Sequence, residues 1–539
     1  MALNLAKHKI LIVDDVREMR MSLISLTKSM GARQVFEAKS GEEAIEQLQA
    51  KEIDIVLCDY NLGEGRDGQQ VFEEAKEFGM ISPHTAFIMI TADNSANVVM
   101  AVVDHSPDSY LIKPLNKSSL ESRLEQVLQR KRIFKQIESR VAVCDLMITK
   151  HPKMRFDLLR VKSDVLFDAG NIDAAAEVCA GILMEREVPW AAIGMGRARY
   201  LAGDLVKARQ LFNKAIEQNH TSMDAYDWLV RIGREEGDLE TTQKTLEQIV
   251  ELSPKSIARQ QILADVAAQN GDHETARKAF NAAVGLGEHS CFARVEDQVG
   301  LVNAVAETGG PDEALEVIEA LNKTRSRARG SANQRPEWPL HLSQAELLFE
   351  NRRADEARAC IEKALANYAE EPRNSKDLKA IALAKACYSV DMHEQAQELT
   401  DRIVRENHDD DSIILAVRAM YSEMGMDDVG ADFVDSARRQ VVEINNRGVG
   451  LAREGDLDAA IELLTHASDD LPGNLTIVLN VLQAIVAQIK HAGYSNQRQY
   501  LINEYLGRAE NIDRDNELLI RLRKKLKKMQ QVSQQKIVA

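Results

Sequence analysis

The sequence predicts a two-part fold: an α/β doubly wound five-stranded parallel sheet over residues 1–128, then an all-α superhelix of paired helices. Three observations carry this. From residue 9 to about 128, short apolar runs alternate with amphipathic segments, as crossover units on a parallel sheet do. From Gly170 onward a Gly-Asp or Gly-Asn pair recurs at steps of 33 or 34 residues, the signature of stacked helical units. The composition, 45% hydrophobic but only 5% aromatic, suits such helical repeats.

In the first part, strands are predicted at 9–13, 35–38, 54–58, 86–90 and 109–112. Helices are predicted near 17–30, 42–50, 67–79, 94–103 and from 116 onward. Polar residues punctuate the strand ends. Asp14 and Asp15 close Ile10-Leu11-Ile12-Val13, Asp59 closes Ile55-Val56-Leu57-Cys58, and Thr91 closes Phe87-Ile88-Met89-Ile90. The last run, Tyr110-Leu111-Ile112, leads into Lys113-Pro114. Each polar group thus falls at the carboxyl edge of the sheet, where open parallel sheets bind ligands. Taken singly, Asp14, Asp15 or Asp59 is read as a helix cap or loop acid. Three carboxylates on one edge, however, repel one another unless a hard cation such as magnesium sits among them. A lysine and a hydroxyl across that edge would neutralise a transferred phosphoryl group.

This ordered set of five signals resembles the receiver domain of two-component response regulators. The resemblance implies that Asp59 is the phosphoacceptor, taking a phosphoryl group from a histidine kinase. It implies that Mg2+ is held by Asp14, Asp15 and Asp59 with the backbone carbonyl of Asn61. Lys113 would pair with a phosphate oxygen, Thr91 would move its hydroxyl onto it, and Tyr110 would follow as an aromatic switch. Pro114 would follow a cis peptide bond that sets Lys113 in place. One departure stands out. The loop Asp59-Tyr-Asn-Leu-Gly-Glu-Gly-Arg-Asp-Gly68 lacks the usual proline and has one extra residue, so Gly63 and Gly65 predict a longer, more flexible loop. Cys58 is read as a small buried hydrophobe.

In the second part, Gly203-Asp204, Gly237-Asp238 and Gly271-Asp272 recur at 34 residues, and Gly170-Asn171 precedes them by 33. Five residues after each glycine stand Ala175, Ala208, Thr242 and Ala276; nine after it, Cys179, Phe212, Leu246 and Phe280; twelve after it, Ile182, Ala215, Ile249 and Ala283. Small residues let two helices approach, the larger ones fill the seam, and the Gly-Asp turn joins them. The pattern resembles the tetratricopeptide repeat, with Pro254 and Pro472 at its closing position. A later copy spans 441–474, with Gly448, Gly455-Asp456, Ala460, Leu464 and Ala467. The register drifts over 295–440, where Ala314, Ala357 and Ala396 still mark second helices and 412–440 fits least. The expected organisation is a receiver at 1–128, a helical linker at 129–155, eight or nine units within 156–514, and a basic capping helix at 515–539.

A net charge of −16 disfavours nonspecific nucleic-acid binding by the whole chain. The basic run from Arg521 to Lys528 is read first as a solvated cap. Six cysteines without paired spacing point to a reducing compartment and away from zinc. The longest apolar-rich window, 477–489, is broken by Asn480, Gln483 and Gln488, so no membrane insertion is expected. A cytoplasmic location follows as the expectation. The chain carries no P-loop, HExxH or GxSxG, so catalysis beyond the receiver's own phosphorylation and dephosphorylation is not expected. The reading is a response regulator whose array binds a protein or peptide in a phosphorylation-dependent way, with a homodimer possible through the linker. Two alternatives remain: an unregulated scaffold with a phosphate-sink receiver, and a nucleic-acid-binding regulator resting on the basic tail.

Overall fold

The computed structural model describes residues 3, 5–82, 84–92, 107–137, 141–327, 337–370, 378–493, 495–514 and 516–538. The chain forms two compact units, one reaching Ala314 and the other starting at Leu315, and each is described by itself.

The first unit opens with β1 (Lys9–Val13), α1 (Arg17–Ser29), β2 (Gln34–Ala38), α2 (Gly41–Ala50), β3 (Ile55–Asp59), α3 (Gly68–Glu77), β4 (Ala86–Thr91) and β5 (Ser109–Ile112). All pairings are parallel, in the order β2-β1-β3-β4-β5, so the predicted doubly wound sheet forms. Apolar side chains cover both faces. Ile10, Ile12, Ile55, Leu57, Ile88 and Ile90 pack on one side with Leu120 and Leu124, while Leu11, Val13, Val56, Phe87 and Met89 pack on the other with Val71 and Phe72. This two-sided burial is why the strands read as continuous apolar runs rather than alternating ones. The helix expected at 94–103 lies outside the described residues. A helix does run over Lys117–Ile137, followed by another at Val141–Lys150.

Paired helices follow at Arg155–Asp168/Ile172–Glu185, Pro189–Leu201/Leu205–Gln218, Met223–Glu236/Leu239–Leu252 and Ile257–Gln269/His273–Leu286. Their turns show why the Gly-Asp pair repeats. Gly170, Gly203, Gly237 and Gly271 all adopt positive φ, between 71° and 77°, which a glycine does without Cβ strain. The next residue then caps the following helix: the side chains of Asn171, Asp204, Asp238 and Asp272 accept from the amides of Ala174, Lys207, Thr241 and Thr275. One residue ends a helix and the next starts its partner. Close packing supplies the rest. Ala208, Phe212 and Ala215 are fully buried, and a Cβ on Gly196 would meet the Phe212 ring at 2.6 Å.

The second unit shows why the register drifts. At two of its turns the left-handed position is filled by Arg352 (φ 59°) and Asp391 (φ 58°) instead of glycine. The stretch that fits least is also fused: one helix of 28 residues, Asp427–Glu454, serves as the second helix of one pair and the first of the next. Counting it twice, the 19 described helices from Arg155 to Ile512 make ten pairs, against the eight or nine units expected. Helix Pro311–Arg327 ends with Arg325 and Arg327 in its last turn.

Helix Leu475–Ala492 is, among the described residues, the one long and apolar enough to cross a membrane by length and composition. It is a continuous helix despite its polar interruptions, because Asn480 pairs with Asn445 at 2.8 Å while Ile477, Val478, Val481, Leu482 and Ile485 are buried. The tail helix Glu517–Val538 packs Leu519, Leu522 and Leu526 onto that cluster. All six cysteines are free thiols, and Cys58 is fully buried.

Candidate functional site

The strand register brings the predicted residues together. Val13 lies beside Cys58, Asp59 beside Ile90, and Thr91 beside Ile112, so the carboxyl ends of β1, β3, β4 and β5 finish level. Asp59 and Thr91 are the last residues of their strands rather than the first beyond them. Asp14, Asp15 and Asp59 each offer a carboxylate oxygen within 4.8 Å of the others. Asp14 is fully buried and Asp59 nearly so, while Asp15 is exposed.

Lys113 answers this charge. Its Nζ donates to Asp59 Oδ2 at 2.7 Å and to Asp14 Oδ2 at 3.1 Å. Its own amide donates to the Thr91 carbonyl at 2.8 Å, and its bond to Pro114 is cis. Burial pulls the Lys113 ammonium down, but hydrogen bonds to Asp59 and Asp14 outweigh it and the net direction is up. Burial pushes the Asp59 carboxyl up, and the lysine only partly offsets this. Two buried carboxylates sharing one ammonium therefore leave room for more positive charge. The donor set, all oxygen and open on the Asp15 side, fits a hard divalent ion.

Tyr110 is half-buried and packs with Tyr60 against the β3–α3 side of the sheet. Its hydroxyl is buried and has no partner among the described residues. Burial, and secondarily the neighbouring Tyr60, raises its pKa. Thr91 is buried. Asn61 is exposed two residues past Asp59, and its Oδ1 accepts from the Gly63 amide at 3.3 Å.

The loop after β3 differs from expectation: it is tied down rather than loose. Arg66 pairs with Glu74 at 2.7 Å and Glu42 at 3.3 Å, Leu62 is buried, and Asp67 closes a capping box with Gln70. Gly63 and Gly65 have φ of 77° and 92°, and a Cβ on Gly65 would meet Glu42 Oε1 at 2.8 Å. Those glycines serve turn geometry and close approach. A Cβ on Gly68 would collide with the Asp59 carbonyl. Sequence reasoning also passed over Arg20, whose Nη1 donates to the carbonyls of Asp14 (2.8 Å) and Asp15 (3.3 Å) and so fixes the acidic turn. The sequence held a signal for it, a cation six residues after Asp14 on the first turn of α1, but no periodicity distinguishes it from a solvated charge.

Comparison with known families bears on this edge directly. Residues 10–125 match the response regulator receiver domain. This part of the chain is a receiver domain. Residues 189–214 match the tetratricopeptide repeat, within the helical region. Over 122 residues the chain is 27% identical to the chemotaxis protein CheY-3 of Vibrio cholerae, covering 23% of this chain and 92% of that protein. Over 178 residues it is 30% identical to the transcriptional regulatory protein ZraR of Klebsiella oxytoca, covering 33% of this chain and 37% of that one. A solved CheY-like receiver from Methanospirillum hungatei is 23% identical, with a TM-score of 0.22, covering 23% of this chain and 96% of that one. The protein is thus a receiver of the response-regulator type joined to a helical region containing tetratricopeptide repeats.

In the helical region, a cavity of about 300 Å³ opens between the first helices of the first three pairs, with Trp190, Trp228, Arg160, Arg197 and Asp164 in its lining. Arg197 lies over the Phe167 ring at 4.3 Å, and burial pushes the Asp164 carboxyl up.

Proposed function

We propose that this protein is a response regulator of a two-component phosphorelay whose helical array binds a protein partner according to the state of Asp59. The observation that carries the reading is the meeting of three carboxylates with one lysine at the receiver's carboxyl edge. Asp59 Oδ attacks the phosphorus of a histidine kinase's phosphohistidine; the P–N bond breaks and a P–O bond forms. Asp14, Asp15, Asp59 and the Asn61 carbonyl would hold Mg2+, and the ion would supply positive charge against the transferred oxygens. Lys113 exchanges its bond to Asp59 for one to the phosphoryl group, Thr91 turns its hydroxyl towards it, and Tyr110 and Pro114 shape the response around them. No other reaction is assigned to the chain.

The proposed boundaries are a receiver at 1–128, a helical linker at 129–155, an array at 156–514 and a cap at 515–539. The cavity beside Trp190 and Trp228 is the proposed partner groove. The test uses acetyl phosphate with Mg2+, then partner capture with loaded and unloaded chain. Wild type should load, Asp59→Asn should not, and partner affinity should change on loading. Loading with unchanged affinity would favour a phosphate-sink scaffold instead.

A further inference from the structure

The pinned loop after Asp59 reaches the repeats within the first unit. Tyr60, the residue after the phosphoacceptor, has the Lys255 ammonium over its ring at 5.1 Å and 3.4 Å from its hydroxyl. Lys255 stands in the turn between the third and fourth helical pairs, and it is exposed. Gln70 Oε1 accepts from the Asp67 amide at 3.0 Å in the capping box, while its Nε2 donates to the carbonyl of Leu286, the last residue of the fourth pair, at 3.4 Å. A helix's last carbonyls have no intrahelical donor, so the Gln70 amide meets a standing need there. Asp67, which caps the helix that carries Gln70, lies within the field of the Lys255 ammonium. Cys291 marks the same border: burial first, then the carboxylates of Glu74 and Glu73, push its thiol up to about 11.

Tyr60 is also tied to the reacting edge. Its amide donates to the Ile90 carbonyl at 2.7 Å, immediately before Thr91, and its carbonyl accepts from Gly68 at 2.9 Å. A shift of Thr91 towards a phosphoryl group therefore pulls on the strand end that places Tyr60. The hydrogen bonds to Lys255 and Leu286 are both 3.4 Å long, so a small displacement weakens them.

We propose that residues 60–70 form an intramolecular latch that holds the receiver to the third and fourth helical pairs through Lys255 and Leu286, and that loading of Asp59 releases it. The release rests on the reading of Asp59 as phosphoacceptor; the contact itself does not. The extra residue in the loop then has a use: with Gly63 and Gly65 it carries the chain past Glu42 to present Asp67 and Gln70 to the repeats.

Hydrogen exchange of the full chain in Mg2+, with and without beryllofluoride as phosphoryl mimic, tests this. In wild type, beryllofluoride should speed exchange in peptides covering 60–70, 253–257 and 286–291 by roughly fivefold or more, the scale of ordinary coupling between sites. Lys255→Glu should show the fast exchange without beryllofluoride, and Lys255→Arg should keep the slow one. Unchanged exchange in Lys255→Glu overturns the latch. Fast exchange in Lys255→Glu, with wild type insensitive to beryllofluoride although acetyl phosphate labels Asp59, overturns release alone. Failure to label Asp59 overturns the phosphoacceptor reading, and release with it, while the Lys255→Glu comparison still decides the contact.

Discussion

The receiver edge and the repeat array are built on opposite economies. At the edge, single residues hold irreplaceable places: Lys113 is shared by Asp59 and Asp14, and Gly68 must lack a side chain beside the Asp59 carbonyl. In the array no residue is unique. What recurs is a volume relation, such as Phe212 against Gly196 or Leu464 against Gly448, and a turn in which glycine ends one helix and a carboxylate caps the next. Damage to the edge should therefore remove chemistry while sparing the fold of the array, and damage to a repeat should do the reverse.

The sharpest way to break this comparison is Phe212→Ala. The ring is fully buried and stacks on Trp228 at 5.8 Å, so its loss should cost about 3–5 kcal/mol in the surrounding repeats. Hydrogen exchange should show the second and third pairs opening, with Asp59 loading unaffected. At the edge, Lys113→Ala leaves two buried carboxylates without their cation, a loss of roughly 3 kcal/mol by the rule for broken buried pairs. Mg2+ should restore more melting temperature to this variant than to wild type, because the ion takes over the missing charge. A smaller effect is expected at Asp238→Ala, which deletes a cap and should cost about 1 kcal/mol. The smallest has the opposite sign. Arg352→Gly relieves a left-handed arginine and should stabilise the second unit by roughly 0.5–1 kcal/mol, read from its chemical-denaturation midpoint.

The same contrast explains what could be read from the sequence. The five strands were legible to within a residue at every end because both faces are buried and the runs are unbroken. The site residues at their carboxyl ends were legible because a parallel sheet aligns those ends. The turns at Gly170, Gly203, Gly237 and Gly271 were legible because geometry demands glycine and a cap together. Arg352 and Asp391 broke that code by adopting the glycine conformation without being glycine, and the fused helix Asp427–Glu454 removed a turn altogether. Arg66 escaped notice because its partner Glu42 lies 24 residues away, and Arg20 because no periodicity separates it from a solvated charge. So did Tyr60 and Lys255, which lie 195 residues apart with no periodic relation.

Under the proposed function, Asp59 accepts the phosphoryl group. Full-length protein treated with acetyl phosphate and Mg2+, then trapped with borohydride, should yield homoserine in place of aspartate at position 59 and nowhere else, with none formed when Mg2+ is chelated. Trapped product at another carboxylate, or equal yield from Asp59→Asn, would contradict it.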